Sequence, residues 1–224
     1  MSEGQPFIRW DWIVDHLDLI GDRLVEHLWL TGLAVGIGIL ISFPLALLVH
    51  RRRRLHGPVA FVTGGLYTIP SLALFSLLVP FTGLSTLTVE IGLVSYTLLI
   101  LIRNTVTGLY GVDADAKEAA LGMGYTNRQM LWRVELPLAL PVIVAGIRIA
   151  TVSTIGLVTV GALVGKGGLG QLMYLGFRRA LPRTTAVTVG VVLSVALAVV
   201  ADGVLLLMQR RLMPWARGRR VTAT

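Results

Sequence analysis

No cysteine occurs in the 224 residues, which excludes a disulfide framework and a thiolate metal site and leaves the redox compartment unread. Charge is scarce as well. Only 14% of residues are charged, against 54% hydrophobic and a mean hydropathy of +0.77, where an ordinary soluble domain carries about 25% charged residues. The composition therefore points to an integral membrane protein. The four histidines, His16, His27, His50 and His56, stand at the edges of apolar runs without metal-ligand spacing. No serine has the histidine and carboxylate partners that would activate it, and no Walker sequence is present. The chain thus offers no catalytic residue, no metal site and no nucleotide site of its own. A basic start followed by a short apolar core is missing from SEGQPFIRWDWIVDHLDLIGDRLVEHL, so no cleavable signal peptide is expected. The formal net charge of +8 would suit nucleic acid, but the bases stand at the ends of apolar spans rather than on one polar face. No nucleic-acid partner is expected.

What the sequence does contain is one long polar stretch between apolar segments, residues 113 to 141, DADAKEAALGMGYTNRQMLWRVELPLALP in its setting. Two short helices can be read in it, broken at Gly122 and Gly124, because glycine weakens helix interiors and permits a sharp change of direction. The first is expected to start near Asp113 or Asp115 and the second near Thr126; Asp115 with Glu118, and Thr126 with Gln129, have the spacing of capping boxes. Pro137 ends the second helix or opens the next.

Around this stretch the chain divides into an amphipathic interfacial segment (1–26), a transmembrane region (27–207) and a basic tail (208–224). The first segment places Ile13, Leu17, Ile20 and Leu24 at helical spacing among acidic residues, with Trp10 and Trp12 suited to a membrane interface. Its acidic cluster suits a solvated helix face better than a cation site. Five spans are expected near 27–49, 58–81, 86–102, 138–164 and 184–207, each long enough to cross a hydrocarbon core of about 30 Å. Five spans put Arg51 to Arg54, the central loop with Arg103, Lys117, Arg128 and Arg133, and the tail from Arg210 on one side. These outnumber the bases opposite, Arg9, Arg23, Lys166, Arg178, Arg179 and Arg183. The N-terminus is therefore expected outside and the C-terminus in the cytoplasm.

Within the spans, glycines suit close helix packing, and Pro44, Pro70 and Pro80 mark interruptions that are tolerated where freed backbone is buried or lines a cavity. Three ionisable residues fall inside the membrane, where such groups are costly. Glu90 lies near the outer end of the third span and can reach the headgroups. Arg148 and Asp202 lie at depths that allow them to pair, and fastening two helices fits that pair better than translocation. The segment GALVGKGGLG, residues 161 to 170, lacks the preceding strand and the lysine-serine/threonine ending of a phosphate loop. It reads as a tight outward turn leading to a short helix, within an outer loop over 165–183.

Glu118, Ala119 and Ala120, three further residues to Gly124, and then Leu136 and Pro137 resemble the EAA signature of permease subunits of bacterial ATP-binding cassette importers. The segments YTIPSLALFSLLVPFTGLS, YTLLILIRNTVTGL and AGIRIATVSTIGLVTVGALVGKGGLG are similar to those of the glycine betaine, carnitine and choline subfamily of osmoprotectant permeases. Three positions depart from it: Ile100 stands where these permeases commonly have proline, Thr154 where asparagine is common, and Lys166 where alanine is usual.

The resemblance implies an all-α, multi-pass protein of the bacterial plasma membrane with the type I importer permease fold. It also implies a cytoplasmic coupling helix within a loop over 113–137. In that reading Glu118, Ala119, Ala120, Gly124, Leu136 and Pro137 couple to the ATPase. Tyr67, Pro70, Ser71, Phe75, Tyr96 and Asn104 are candidates to line the pathway, although each of the aromatics suits packing better than a cage for a quaternary ammonium group. The implied partners are a cytoplasmic ATPase dimer, a second permease subunit, an extracytoplasmic solute-binding protein and membrane lipid. The ATPase would use ATP and magnesium, and this chain would bind no cofactor. Two alternatives stand beside it: a related permease for methionine or a phosphonate, and a gradient-driven secondary transporter, which predicts internal repeats that are not evident.

Overall fold

The computed structural model describes residues 7–178 and 181–215, and among the described residues every regular element is helical. In hydrocarbon a backbone must satisfy its own polar groups, and these apolar runs do so within themselves. α1 (Trp10–Asp15) meets α2 (Leu17–Arg51) at a kink where His16 leaves the helical region at φ −126°. The 35 residues of α2 extend roughly 52 Å, well beyond the hydrocarbon thickness. The interfacial helix expected over 1–26 is therefore not a separate element, since Asp18, Asp22 and Glu26 belong to the first turns of the first long helix, and residues 1–6 lie outside the described residues. Most of the apolar stripe of that stretch faces protein: Ile20 and Trp12 pack with Leu169, Leu172 and Ala186, with Ile13 and Leu24 against them, while Leu17 is exposed. Trp12 is buried and stacks on the His16 ring at 4.6 Å, whereas Trp10 is exposed.

A 3-10 turn (Arg53–Leu55) leads into α3 (His56–Thr68), α4 (Ser71–Thr82) and α5 (Thr86–Tyr110). Of the three prolines read as interruptions, one breaks the chain. Pro44 stays inside α2 and Pro80 inside α4, but Pro70 separates α3 from α4, whose axes meet at 95°. A proline disfavours helical backbone in the residue before it, and Ile69 is extended at ψ 126°. The Tyr96 hydroxyl of α5 donates to the Ile69 carbonyl that the break sets free. The second span is thus a bent pair, and the spans number four, or five with that pair counted as one.

After α5 come α6 (Ala114–Gly122), α7 (Asn127–Met130), a π-helical turn (Leu131–Glu135), α8 (Leu136–Val160), a 3-10 turn (Gly161–Val164), α9 (Leu169–Phe177) and α10 (Arg183–Leu212). α5 is the central helix, packed between α2 and α8. It continues past Arg103, where the third span was expected to end, because the Asn104 amide returns to the Ile100 carbonyl at 2.8 Å and satisfies itself within the helix. Hydrophobic burial closes both ends of this trio. Leu30, Phe75, Leu93 and Val158 cluster at one end, and Leu109, Leu131, Leu136 and Ile143 at the other. α10 lies outside them, against α8 and α9, and is largely exposed.

The basic segments gather at one end of the bundle. His50 at the end of α2 is 3.0 Å from Glu135 in the π turn, and Gln209 near the end of α10 donates to the Pro141 carbonyl at 3.3 Å. Arg51 to Arg54, the polar loop and Arg210 with Arg211 therefore share that end, and Arg217, Arg219 and Arg220 lie outside the described residues. At the opposite end the Arg9 amide donates to the Thr185 hydroxyl at 3.0 Å.

Candidate functional site

The polar loop is two short helices with fixed ends. Asp113 caps α6 by accepting from the Asp115 amide at 3.1 Å, so of the two expected starts, Asp113 and Asp115, the helix takes the first. Thr126 and Gln129 do form a reciprocal capping box on α7, at 3.3 and 2.9 Å. Between the helices, the Tyr125 amide donates to the Ala120 carbonyl at 3.1 Å and the Gly124 amide to Leu121 at 2.9 Å. With Gly124 at φ +79°, this is a Schellman termination, the motif in which a left-handed residue satisfies the last carbonyls of a helix. Gly124 is the bend, and Gly122 is an ordinary helical residue with open space beside it. Ala120 and Leu136 are buried, Pro137 is half-buried at the start of α8, and Glu118 and Ala119 are exposed. Met130 and Leu131 are buried under α7, which seats the loop on the ends of α5 and α8. Leu121, Met123 and Trp132 of the same loop remain on the surface, at 55%, 67% and 52% exposure.

Against known families, the one described as "Binding-protein-dependent transport system inner membrane component" matches residues 34–214. The chain belongs to this family. It is 34% identical to the choline transport system permease protein OpuBB of Bacillus subtilis (strain 168), over 90% of this chain and 94% of that one. It is 38% identical to the osmoprotectant import permease protein OsmW of Salmonella typhimurium (strain LT2), over 91% and 96% of the two chains. Among solved structures, a chain of the MetNI methionine ABC transporter in an inward facing conformation matches with a TM-score of 0.77 at 23% identity. That match covers 88% of this chain and 97% of the other, and at that identity it speaks for the fold. The protein is a multi-pass permease of the bacterial plasma membrane, the membrane-spanning subunit of an ATP-driven importer.

Four of the six residues put forward for the permease's pathway meet at or beside the break in the second span. Tyr67 is 42% exposed and stands edge-on to Tyr96 at 5.7 Å, with Pro70 and Ser71 at the start of α4. Tyr96 is itself buried, with its hydroxyl committed to Ile69. Phe75 lines nothing open in this conformation: it is fully buried, with its ring against Gly92, because that glycine leaves the space a side chain would fill. Asn104 is half-buried, and its Cβ lies against Gly146 of α8. Glu90 does not reach outward as its position suggested; it is 6% exposed, and neither of its carboxylate oxygens has a hydrogen-bond donor among the described residues.

Arg148 and Asp202 form a two-pronged pair, Nε to Oδ1 at 2.9 Å and Nη2 to Oδ2 at 2.8 Å, joining α8 to α10. The pair opens onto a groove of about 580 Å³ walled by Ala145, Ile149, Val152 and Val199. Within a membrane span, removing one partner of an ion pair leaves a charge uncompensated, while removing both is often tolerated. Arg148→Met alone is expected to lower membrane abundance several-fold, and Arg148→Met with Asp202→Leu to recover both abundance and uptake. Recovery of abundance without uptake in the double variant would assign the pair to the pathway instead.

Two residues that sequence reasoning passed over organise the two ends of the bundle. His27 is fully buried at the glycine-rich end; its Nε2–H donates to the Ile155 carbonyl at 3.0 Å, and its Nδ1 accepts from the Leu169 amide at 3.3 Å. Glu135 is 8% exposed at the polar-loop end, between His50 and Lys117. The signal available in the sequence was the place of each, a lone polar residue at the rim of an apolar run.

Proposed function

We propose that the permease carries osmoprotectants such as glycine betaine, choline or carnitine. The observation that carries this reading is sequence identity. The relatives at 34% to 39% identity are named for choline, osmoprotectants and the glycine betaine, carnitine and choline group, over 82% to 96% of their lengths. The methionine transporter resembles the chain in fold at 23% identity. ATP-dependent uptake of labelled glycine betaine, choline or carnitine is expected from proteoliposomes holding the permease with its ATPase and binding protein. Methionine import with none of the three would overturn the assignment, and uptake that survives ATP depletion but falls with the ion gradient would favour a secondary transporter.

In this reading the polar-loop end is cytoplasmic, in keeping with the basic residues that gather there. Residues 113–137 are the coupling loop, 165–183 the outer loop facing a binding protein, 27–207 the transmembrane domain and 208–224 a cytoplasmic tail. Glu118 and Ala119 would meet a groove on a separate ATPase, with Ala120 packing α6 on the bundle and Gly124 setting its angle; the ATPase uses ATP and magnesium while the permease binds no cofactor. Leu136 and Pro137 would anchor the loop to α8. Exposed apolar side chains on a polar loop, here Leu121, Met123 and Trp132, are the kind of surface a protein partner covers. A second permease subunit would complete the pathway, since one bent span and four straight ones enclose little space alone.

A further inference from the structure

The polar loop is tied to the membrane helices through one carboxylate. Glu135 is buried in the π turn that opens α8. Its Oε2 accepts from His50 Nε2 at 3.0 Å, at the end of α2, and its Oε1 is 3.1 Å from Lys117 Nζ on α6. The His50 ring lies 5.3 Å from the Tyr110 ring at the end of α5, and the Arg53 guanidinium stands over that same ring at 5.8 Å. α2 and α6 therefore converge on Glu135 in the turn into α8, with α5 packed on His50, and both carboxylate oxygens are engaged by donors from different elements.

α6 has few other holds on the bundle. Ala120 is its only buried residue, and its far end is the Gly124 bend, whose left-handed backbone has open space around it. A push on the exposed face of α6 reaches the membrane helices through Ala120, through the chain ends, and through Lys117. Of these, the Lys117–Glu135 pair is the charged link from α6 to the turn that opens α8 and, by way of His50, to the end of α2. Charge-assisted bonds of this kind are short and directional, and burial strengthens them.

We propose that Glu135 is a positioning residue for energy coupling: by holding Lys117 and His50 together it makes α6, α2 and α8 move as one body when the ATPase displaces the loop. The proposal rests on the reading of 113–137 as the coupling loop. It goes beyond docking, because none of the three residues belongs to the exposed face that would meet the partner. The loop without this junction would still dock and still stimulate hydrolysis, but part of its displacement would be lost at the Gly124 bend.

The test uses proteoliposomes holding the complete importer and reads ATP hydrolysed per solute imported. Lys117→Met and Glu135→Gln are expected to insert, to keep hydrolysis within about twofold of the parent, and to raise the ATP used per solute about tenfold, the scale of coupling between residues in one charged network. Lys117→Arg, which keeps the charge, is expected to stay near the parent ratio. An unchanged ratio in Lys117→Met overturns the proposal. So does an equal fall in hydrolysis and uptake, which would mark a docking residue, and so does loss of Lys117→Met from the membrane, which would mark a folding role. The parent complex separates the two readings: if it hydrolyses ATP without importing solute, the coupling loop itself is misread, whereas a coupled parent with a coupled Lys117→Met removes the junction alone.

Discussion

Gly168→Ala is expected to strip most of the permease from the membrane fraction, while Gly165→Ala three residues earlier leaves it nearly intact. Both glycines have positive φ, +49° at Gly168 and +91° at Gly165, so each pays a backbone penalty of about 1–2 kcal/mol on gaining a side chain. Their surroundings decide the difference. A Cβ at Gly165 meets nothing within 4 Å, whereas one at Gly168 falls 2.6 Å from His27 Cα and 2.7 Å from its backbone nitrogen. Those atoms belong to a long helix and cannot swing aside. His27 is further held on the far side by its bond to Ile155 and on the near side by the Leu169 amide. Gly168, at φ +49° and ψ −121°, has the backbone of the first central residue in a type II′ turn, closed by the Gly170 amide to the Gly167 carbonyl at 2.8 Å. Overpacking of this kind adds about 1–3 kcal/mol. Together the two effects reach about 2–5 kcal/mol, a large share of a typical stability of about 5–15 kcal/mol. Membrane abundance and thermal unfolding in detergent measure both variants, and equal behaviour of the two would refute the close-packed turn.

The same turn shows what was legible in the sequence. GALVGKGGLG was recognisable as a tight turn before a short helix, because glycine is the residue that such backbones select. That its glycines clasp a buried histidine 141 residues earlier at Gly168 was not, because a contact across the bundle leaves no period in the chain. The long helices followed from apolar length, and their ends were the weak points. Arg103 looked like a rim, yet α5 continues to Tyr110, and the neighbouring Asn104 amide is satisfied one turn back at the Ile100 carbonyl. The acidic stretch before the first span looked like a surface helix because its apolar stripe has no stated partner in one dimension, and α9 and α10 supply it. At the polar loop, the bend and the second capping box were readable from local spacing. The Glu135 junction was not, since His50, Lys117 and Glu135 lie on three elements and only the fold brings them together.

The local spacing at the bend leads to the second large effect, on transport rather than on stability. Gly124→Val is expected to leave the permease in the membrane at near-normal abundance and to abolish most ATP-driven uptake. Gly124 stands at φ +79° with nothing within 4 Å of a Cβ, and it is exposed. A β-branched side chain rarely tolerates that backbone, so the chain relieves the strain by turning to negative φ rather than by unfolding. Doing so gives up the two bonds of the Schellman turn, from Tyr125 to Ala120 and from Gly124 to Leu121, and re-aims α6 relative to α7. α7 itself stays, because its capping box and the buried Met130 and Leu131 do not depend on the bend. α6 moves as a unit, and with it the exposed face carrying Glu118 and Ala119. Gly124→Asn, whose side chain accepts left-handed backbone more readily, is expected to keep a substantial part of the uptake, and Gly122→Ala all of it, since Gly122 is helical and unobstructed. The ratio of uptake to abundance across the three variants is the measurement. A Gly124→Val permease that imports normally would mean that the angle between α6 and α7 carries no coupling. A Gly122→Ala permease as impaired as Gly124→Val would mean that the helix, and not its left-handed end, is what the ATPase requires.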